Sequence, residues 1–265
     1  MEYGTVKWYN DSKAQGVINA LVSGYSVYVS AEDIVDAQYL CEHQFVSFYT
    51  DTDSMGTRIA RNVKIIPVKE TVLCEVPRIS VFENVIPPEY CKSLVNYYNQ
   101  AGMNPNSGYV SREQASGQVT ELVEQRGISN GMLPVHVNYL ADLIHNTIRL
   151  PYSHIEAIDI YNYEVGQYLD LHHDYPYDPT LIPYYKNGGD RVGTGIFWLN
   201  TDYEGGDTYF PQLDVNVKPT LGGFLYFEQG YDEATNWKTI HESTLITKGT
   251  KWISACFFAN QPRVK

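Results

Sequence analysis

From Ile155 to Phe258 the chain falls into seven short apolar or alternating runs, and the breaks between them carry Gly, Pro, Asp or Asn. Alternation with period two over so few residues is the signature of a half-buried strand rather than a helix. The runs are Ile155 to Tyr163, Tyr168 to Asp174, Arg191 to Asn200, Thr208 to Phe210, Gly223 to Phe227, Glu242 to Ile246 and Trp252 to Phe258, with a further strand at Ile79 to Phe82. Helical spacing is confined to two stretches. Pro87-Pro88 opens a helix with Cys91, Leu94, Val95 and Tyr98 at i, i+3, i+4, i+7, ended by Gly102. A second helix is expected from about Pro134 to Arg149, with Val137, Leu140, Leu143, Ile144 and Ile148 on one face and Pro151 closing it. A polar stretch from Asn104 to Ser116 lies between them. Helices first and many strands afterwards predict a mainly β fold with flanking helices, a double-stranded β-helix or jelly roll with the helices packed on it.

Residues 1 to about 66 have a different texture. Five short strands are expected at Thr5 to Tyr9, Gly16 to Leu21, Tyr25 to Ser30, Gln44 to Tyr49 and Arg58 to Ile65, split by turn-rich pieces such as Asn10-Asp11-Ser12 and Ser23-Gly24. That count in that length predicts a small OB-like five-stranded barrel. Residues 67–73 read as a short join, which gives domains of 1–66 and 74–265.

The whole chain carries a formal charge of -12, which argues against a protein that lives by nonspecific phosphate contacts or by binding anionic membranes. No window holds the roughly 18 apolar residues of a membrane helix. The N-terminus MEYGTVKWYNDSK is polar and has no apolar signal core. A cytoplasmic protein is therefore expected. Cys41, Cys74, Cys91 and Cys256 are scattered, as suits free thiols in a reducing compartment. Tyr outnumbers Phe by 23 to 9, which favours half-wet aromatic surfaces or grooves over a dry core.

The chemistry concentrates in Leu171-His172-His173-Asp174-Tyr175. On a strand His172 and Asp174 project to one face and His173 to the other. One imidazole and one carboxylate make two thirds of a 2-His-1-carboxylate facial triad, the set that leaves adjacent positions open on Fe(II) in oxygenases. His241 is the one histidine downstream and supplies the third candidate. Ten residues later comes Lys251, a cation deeper along the next strand, which is what the far carboxylate of a dicarboxylic 2-oxo acid requires.

Together His172, Asp174, His241 and Lys251 resemble the Fe(II)/2-oxoglutarate dioxygenases, most of all the prolyl 4-hydroxylase branch. The resemblance covers about residues 78–260 and extends to Tyr161-Asn162-Tyr163, Glu204-Gly205-Gly206-Asp207-Thr208 and Gly222-Gly223-Phe224-Leu225-Tyr226-Phe227. It implies that His172, Asp174 and His241 hold Fe(II) and act in catalysis. It implies that Lys251 and Tyr163 bind 2-oxoglutarate and that Arg191 lines the substrate mouth. Fe(II), 2-oxoglutarate and O2 are the implied cofactors and cosubstrates, with ascorbate a candidate addition. The implied reaction couples oxidative decarboxylation of 2-oxoglutarate to hydroxylation of a substrate C–H bond, on a prolyl or other peptidyl side chain. Trp252 and His173 read as structural. Leu169, Phe257 and Ala259 stand where that branch keeps other residues for its peptide. The stretch Asp178 to Asp190 reads as a loop able to close over substrate.

Residues 1–66 in turn resemble a cold-shock domain, on Gly4-Thr5-Val6-Lys7-Trp8-Tyr9-Asn10, Lys13-Ala14-Gln15-Gly16-Val17-Ile18 and Val27-Tyr28-Val29-Ser30. Gln15 and Val17 replace two base-stacking aromatics of that family, and Ser30 replaces its histidine. Trp8, Tyr9 and Tyr28 persist. Lys7, Lys13, Arg58, Arg61 and Lys64 face eight carboxylates, a balance of -3. The expected partner is a protein or peptide substrate, with the barrel as a docking or accessory module. An oxygenase acting on nucleic acid presented by the barrel, and a binding module without turnover, are the alternatives.

Overall fold

The computed structural model describes residues 1–21, 23–42, 44–100, 132–156, 158–175, 189–229 and 237–262. The polar stretch from Asn104 to Ser116 and most of the loop from Asp178 lie outside the described residues. The chain divides into two compact units, Met1–Val68 and Lys69–Lys265.

The first unit is a closed five-stranded barrel. Its strands are β1 (Glu2–Asn10), β2 (Gln15–Ala20), β3 (Ser26–Ser30), β4 (Phe45–Thr52) and β5 (Arg58–Ile65), in the order β1-β2-β3-β5-β4. All neighbours are antiparallel except β3 and β5, whose parallel contact is at Tyr28 and Ile59. The alternating apolar residues point inward, and Val6, Ile18, Val27, Val29, Val46, Phe48, Ala60 and Val63 form the core. The opposite set faces out, and Trp8, Val17, Tyr28 and Ile59 lie side by side across four strands. Tyr9 instead packs against the core and buries its hydroxyl.

The second unit begins with β6 (Lys69–Glu75), which pairs antiparallel with β7 (Arg78–Glu83). The segment expected to be a join is thus an edge strand. Its residues are exposed apart from Cys74, so it carries no burial alternation to betray it. Helix α1 (Pro88–Gln100) buries Tyr90, Cys91, Leu94 and Tyr98. Helix α2 (Pro134–Ile148) buries Leu140, Leu143 and Ile144, and it ends at Arg149 in the left-handed region, whose N–H donates to the His145 carbonyl.

The remaining strands form the jelly roll. A six-stranded sheet runs β6-β7-β14 (Phe224–Glu228)-β10 (Arg191–Trp198)-β17 (Lys251–Ala259)-β8 (Asp159–Tyr163). A four-stranded sheet runs β13 (Val215–Val217)-β12 (Thr208–Phe210)-β15 (His241–Ser243)-β9 (Leu169–His172), and β11 (Glu204–Gly205) pairs with β16 (Ile246–Lys248). Trp198, Leu225, Phe227 and Ile253 of the first sheet meet Phe210 and Val217 of the second in one core. Gly205 and Gly206 allow the turn over that core. Both have positive φ, and a Cβ on Gly205 would sit 1.9 Å from the Leu245 carbonyl oxygen. All four cysteines are free. Among the described residues no helix is long and apolar enough to cross a membrane.

Candidate metal centre

The four-stranded sheet brings the two histidines together. β9 ends at His172 and β15 begins at His241, and the two residues are direct antiparallel partners with ring centroids 4.3 Å apart. Asp174 lies in a bend just past the end of β9, so strand alternation does not carry its side chain to the histidines as the sequence suggested. The bend does so instead. Asp174 Oδ1 is 3.4 Å from His172 Nε2, and Oδ2 is 3.7 Å from His241 Nε2. One ligand atom from each of the three residues lies within 4.8 Å of the others. The His172 side chain is 27% exposed while those of Asp174 and His241 are 9% and 6%, so the cluster opens to solvent on the His172 side. His173 stays out of it, with its ring beside Trp237.

These residues fit a divalent metal for a reason visible in their outer hydrogen bonds. His172 Nδ1 lies 2.7 Å from the Asp170 carbonyl, and His241 Nδ1 lies 3.0 Å from the Thr239 carbonyl. A carbonyl can only accept, so each Nδ1 carries the hydrogen and each Nε2 keeps its lone pair for a metal. Burial, with the neighbouring charge of His172 adding to it, lowers His241 to about 4, which keeps that imidazole neutral. Burial alone would raise the Asp174 carboxyl. The pull of the two neighbouring imidazoles, His241 first, and the hydrogen bond from Thr194 outweigh it and hold the group well below the ordinary carboxylate range.

Lys251 is fully buried, 2% exposed, and lies opposite Tyr163 in the β17–β8 ladder, its Nζ 5.2 Å from that ring's centroid. Nζ donates to the Gly206 carbonyl at 2.6 Å and to Ser243 Oγ at 2.8 Å. Burial, opposed by Asp207, lowers the ammonium to about 7. Ser243 is two residues beyond His241 on one short strand, so the lysine and the metal cluster share a wall.

Arg191, which the resemblance places at a substrate mouth, lies beside the metal cluster. It is 4% exposed; its Nη2 pairs with Glu156 at 2.8 Å, its Nη1 donates to the Asp174 backbone carbonyl at 2.8 Å, and its guanidinium stacks over Phe257. A guanidinium desolvated to that degree needs such partners, and here they make it a clamp on the Asp174 main chain. Nothing in the sequence marks Glu156, one of 31 acidic residues, or Thr194, Gln229 and Ser243, whose residue types carry no chemical signature at any particular spacing.

A family model described as the 2OG-Fe(II) oxygenase superfamily matches residues 158–259. Among curated proteins, Prolyl 4-hydroxylase 1 of Arabidopsis thaliana is 30% identical over 220 residues, covering 73% of this chain and 72% of that protein. A putative prolyl 4-hydroxylase of Acanthamoeba polyphaga mimivirus is 26% identical over 185 residues, covering 67% and 72%. Among solved structures, the viral collagen prolyl hydroxylase vCPH from Paramecium Bursaria Chlorella virus-1, in its 2OG complex, aligns with 70% of this chain and 97% of that one at 18% identity and a TM-score of 0.44. That last likeness is too loose to bear on the fold, which the strand order establishes by itself.

Proposed function

The chain belongs to the 2OG-Fe(II) oxygenase superfamily, with prolyl 4-hydroxylases as its relatives, and from that premise we propose that it hydroxylates prolyl residues of a protein or peptide. Membership makes it a 2-oxoglutarate-dependent dioxygenase; the substrate and the residue roles are the proposed part. His172 and His241 through Nε2, and Asp174 through its carboxylate, would hold Fe(II). Bound there, the metal would supply activation of O2 at the expense of 2-oxoglutarate, which leaves as succinate and CO2.

The protein's own residues bind, orient and exclude water. The backbone carbonyls of Asp170 and Thr239 fix the imidazole tautomers. Lys251 would exchange its hydrogen bonds to Gly206 and Ser243 for the far carboxylate of 2-oxoglutarate, with Tyr163 beside it in the ladder. A buried cation is otherwise a costly thing to keep in an apolar core, and a carboxylate partner accounts for it. Arg191, paired with Glu156, would hold the Asp174 main chain.

The observation that carries this reading is the pair of buried or half-buried imidazoles turned with both Nε2 atoms toward one carboxylate, with Lys251 on the adjoining wall. The test is succinate release with Fe(II) and 2-oxoglutarate, first alone, then with proline-rich peptides, then with single-stranded RNA or DNA. The expected result is peptide-stimulated turnover with a gain of one oxygen atom in the peptide mass. Stimulation by nucleic acid alone would move the substrate class, and no turnover with any addition would leave a binding module.

A further inference from the structure

Behind the metal-facing side of Asp174 lies a short chain of buried hydrogen bonds. Thr194 Oγ1 donates to Asp174 Oδ2 at 2.6 Å, and Gln229 Nε2 donates to Thr194 Oγ1 at 2.7 Å. Thr194 is 2% exposed and Gln229 is 3% exposed. The direction of the chain is forced. An ionised carboxylate accepts only, so the threonine hydroxyl must spend its one hydrogen on Asp174, and the amide must then offer its NH2. The reverse amide orientation would ask one hydrogen to serve two acceptors. Among the described residues, the chosen orientation leaves Gln229 Oε1 buried without a partner. A polar atom is rarely left so unless the other half of the group is needed where it is.

The backbone is shaped for the same contact. In β10, Arg191 pairs with Ala259 and Gly193 with Phe258, so Val192 is an extra residue in the ladder. Thr194 pairs with Phe257, two residues from Ala259, which puts Arg191 and Thr194 on one face. In a regular strand, residues three apart would point to opposite faces. The bulge therefore lets a single strand grip Asp174 twice, by its backbone carbonyl through Arg191 and by Oδ2 through Thr194. Asp174 needs that grip because it sits in a bend beyond the end of β9.

We propose that Thr194, backed by Gln229, is a positioning residue for the metal: it locks the Asp174 carboxylate in the orientation that spans the two histidine Nε2 atoms, so that the ligand set is ordered before the ion arrives. The proposal rests on the reading of His172, Asp174 and His241 as metal ligands. An outer hydrogen bond of this kind is typically worth about ten- to a hundredfold in metal affinity.

The test uses the full chain and Mn(II), a redox-inert probe for the same donor set, titrated calorimetrically in the absence of 2-oxoglutarate. Thr194→Val keeps the β-branched shape and removes the hydroxyl; it should weaken Mn(II) about ten- to a hundredfold, and Thr194→Ser should restore most of the loss. Gln229→Leu should weaken Mn(II) in the same direction by less. Apparent KM for 2-oxoglutarate at saturating Fe(II) should stay unchanged in all three, since none touches Lys251. A Thr194→Val chain with lowered melting temperature and wild-type Mn(II) affinity would show a purely structural threonine and overturn the proposal. If Thr194→Val does not fold, Gln229→Leu decides: weakened Mn(II) supports the proposal and unchanged Mn(II) overturns it. Asp174→Ala separates the two levels. Retained Mn(II) binding in that variant would remove the metal centre itself, whereas its loss beside an unaffected Thr194→Val would remove the positioning role alone.

Discussion

The closed barrel of Met1–Val68 and the packed sheets of Lys69–Lys265 are both mainly β structures, yet they fill their interiors differently. Among the described residues the barrel buries one charged group, Asp33, at its rim and paired with Arg61 and Ser30. The rest of its interior is mostly aliphatic, with Phe45, Phe48 and the packed ring of Tyr9 as its aromatics. The jelly roll buries Arg191, Thr194, Gln229, His241, Ser243 and Lys251. Burying an unpaired polar group typically costs about 1–3 kcal/mol, and a charge more. An interior that accepts several of them, each of these six side chains making at least one hydrogen bond, has been shaped for something besides stability. In the barrel the chemistry-bearing side chains, Trp8 and Tyr28 above all, are instead on the outside. One unit thus encloses its chemistry-bearing side chains in a chamber and the other displays them on its surface.

The largest expected effect tests whether that chamber is a reaction chamber. Asp174→Ala, His172→Ala or His241→Ala should abolish turnover and lower metal affinity at least a hundredfold, while the melting temperature stays near wild type. His173→Ala should keep the metal, because its ring lies beside Trp237 and outside the cluster. Metal titration of the four variants checks this, and loss of metal in His173→Ala with retention in His172→Ala would reverse the assignment. Trp8→Ala in the barrel should leave both quantities untouched.

Next in size is Lys251. Lys251→Ala should raise the apparent KM for 2-oxoglutarate by ten- to a hundredfold, the equivalent of about 1.5–3 kcal/mol for a charge-assisted bond, with little change in metal affinity. Lys251→Met, which fills a similar volume without the charge, should do the same to KM yet melt no lower than wild type without 2-oxoglutarate. An unchanged KM would take the lysine out of the cosubstrate site. A drop in melting temperature would mean that its bonds to Gly206 and Ser243 hold the fold.

What could be read from the sequence divides along the same line. The barrel strands are visible because β2 and β3 alternate inward and outward residues and turn-rich pieces separate the runs. The edge strand Lys69–Glu75 is not, because it has nearly no buried side to alternate with. The run Glu242 to Ile246 looks like one strand in the sequence but is split between β15 and β16, which part at Thr244 and Leu245 where Gly205 crosses closely. That His172, Asp174 and His241 meet is legible in the sequence, because few residue types can ligate a metal and only one histidine lies downstream of the first two ligands. Thr194 and Gln229 are not, since their placement depends on a bulge at Val192 that no residue type announces. Arg191 was noticed, but whether it met substrate or Asp174 depended on Glu156, a partner 35 residues away.

A smaller effect concerns pH. Burial holds Lys251 at about 7 in the free protein. Below that pH the ammonium is already charged, and a dicarboxylate binds without taking up a proton. Above it, binding must first draw a proton onto Nζ, so affinity for 2-oxoglutarate should fall by about tenfold per pH unit over the alkaline side. Calorimetric titration between mildly acidic and mildly alkaline pH would show it, together with net proton uptake in the alkaline range. A flat profile would mean that Lys251 does not receive the carboxylate.

The smallest effect is expected from removing the barrel. A chain beginning at Lys69 keeps β6 paired to β7 and retains every proposed ligand, so it should turn over 2-oxoglutarate at close to the full rate. Starting at Cys74 instead would strip β6 from the six-stranded sheet and expose the edge of β7, which should lower the melting temperature. The isolated residues 1–68 should bind single-stranded nucleic acid weakly. The outer row offers Trp8 and Tyr28 as stacking surfaces, each worth about 1–3 kcal/mol per base, but Val17 lies between them and Tyr9 is turned to the core. Arg61 is also occupied by Asp33 and Asp51, which reduces the cations left to displace counterions. Titration with oligo-U and oligo-dT at low salt should therefore give micromolar or weaker binding with a shallow salt slope. Submicromolar binding with a steep slope, lost in Trp8→Ala, would make the outer face a nucleic-acid surface and erase the contrast between a reaction chamber and a docking barrel.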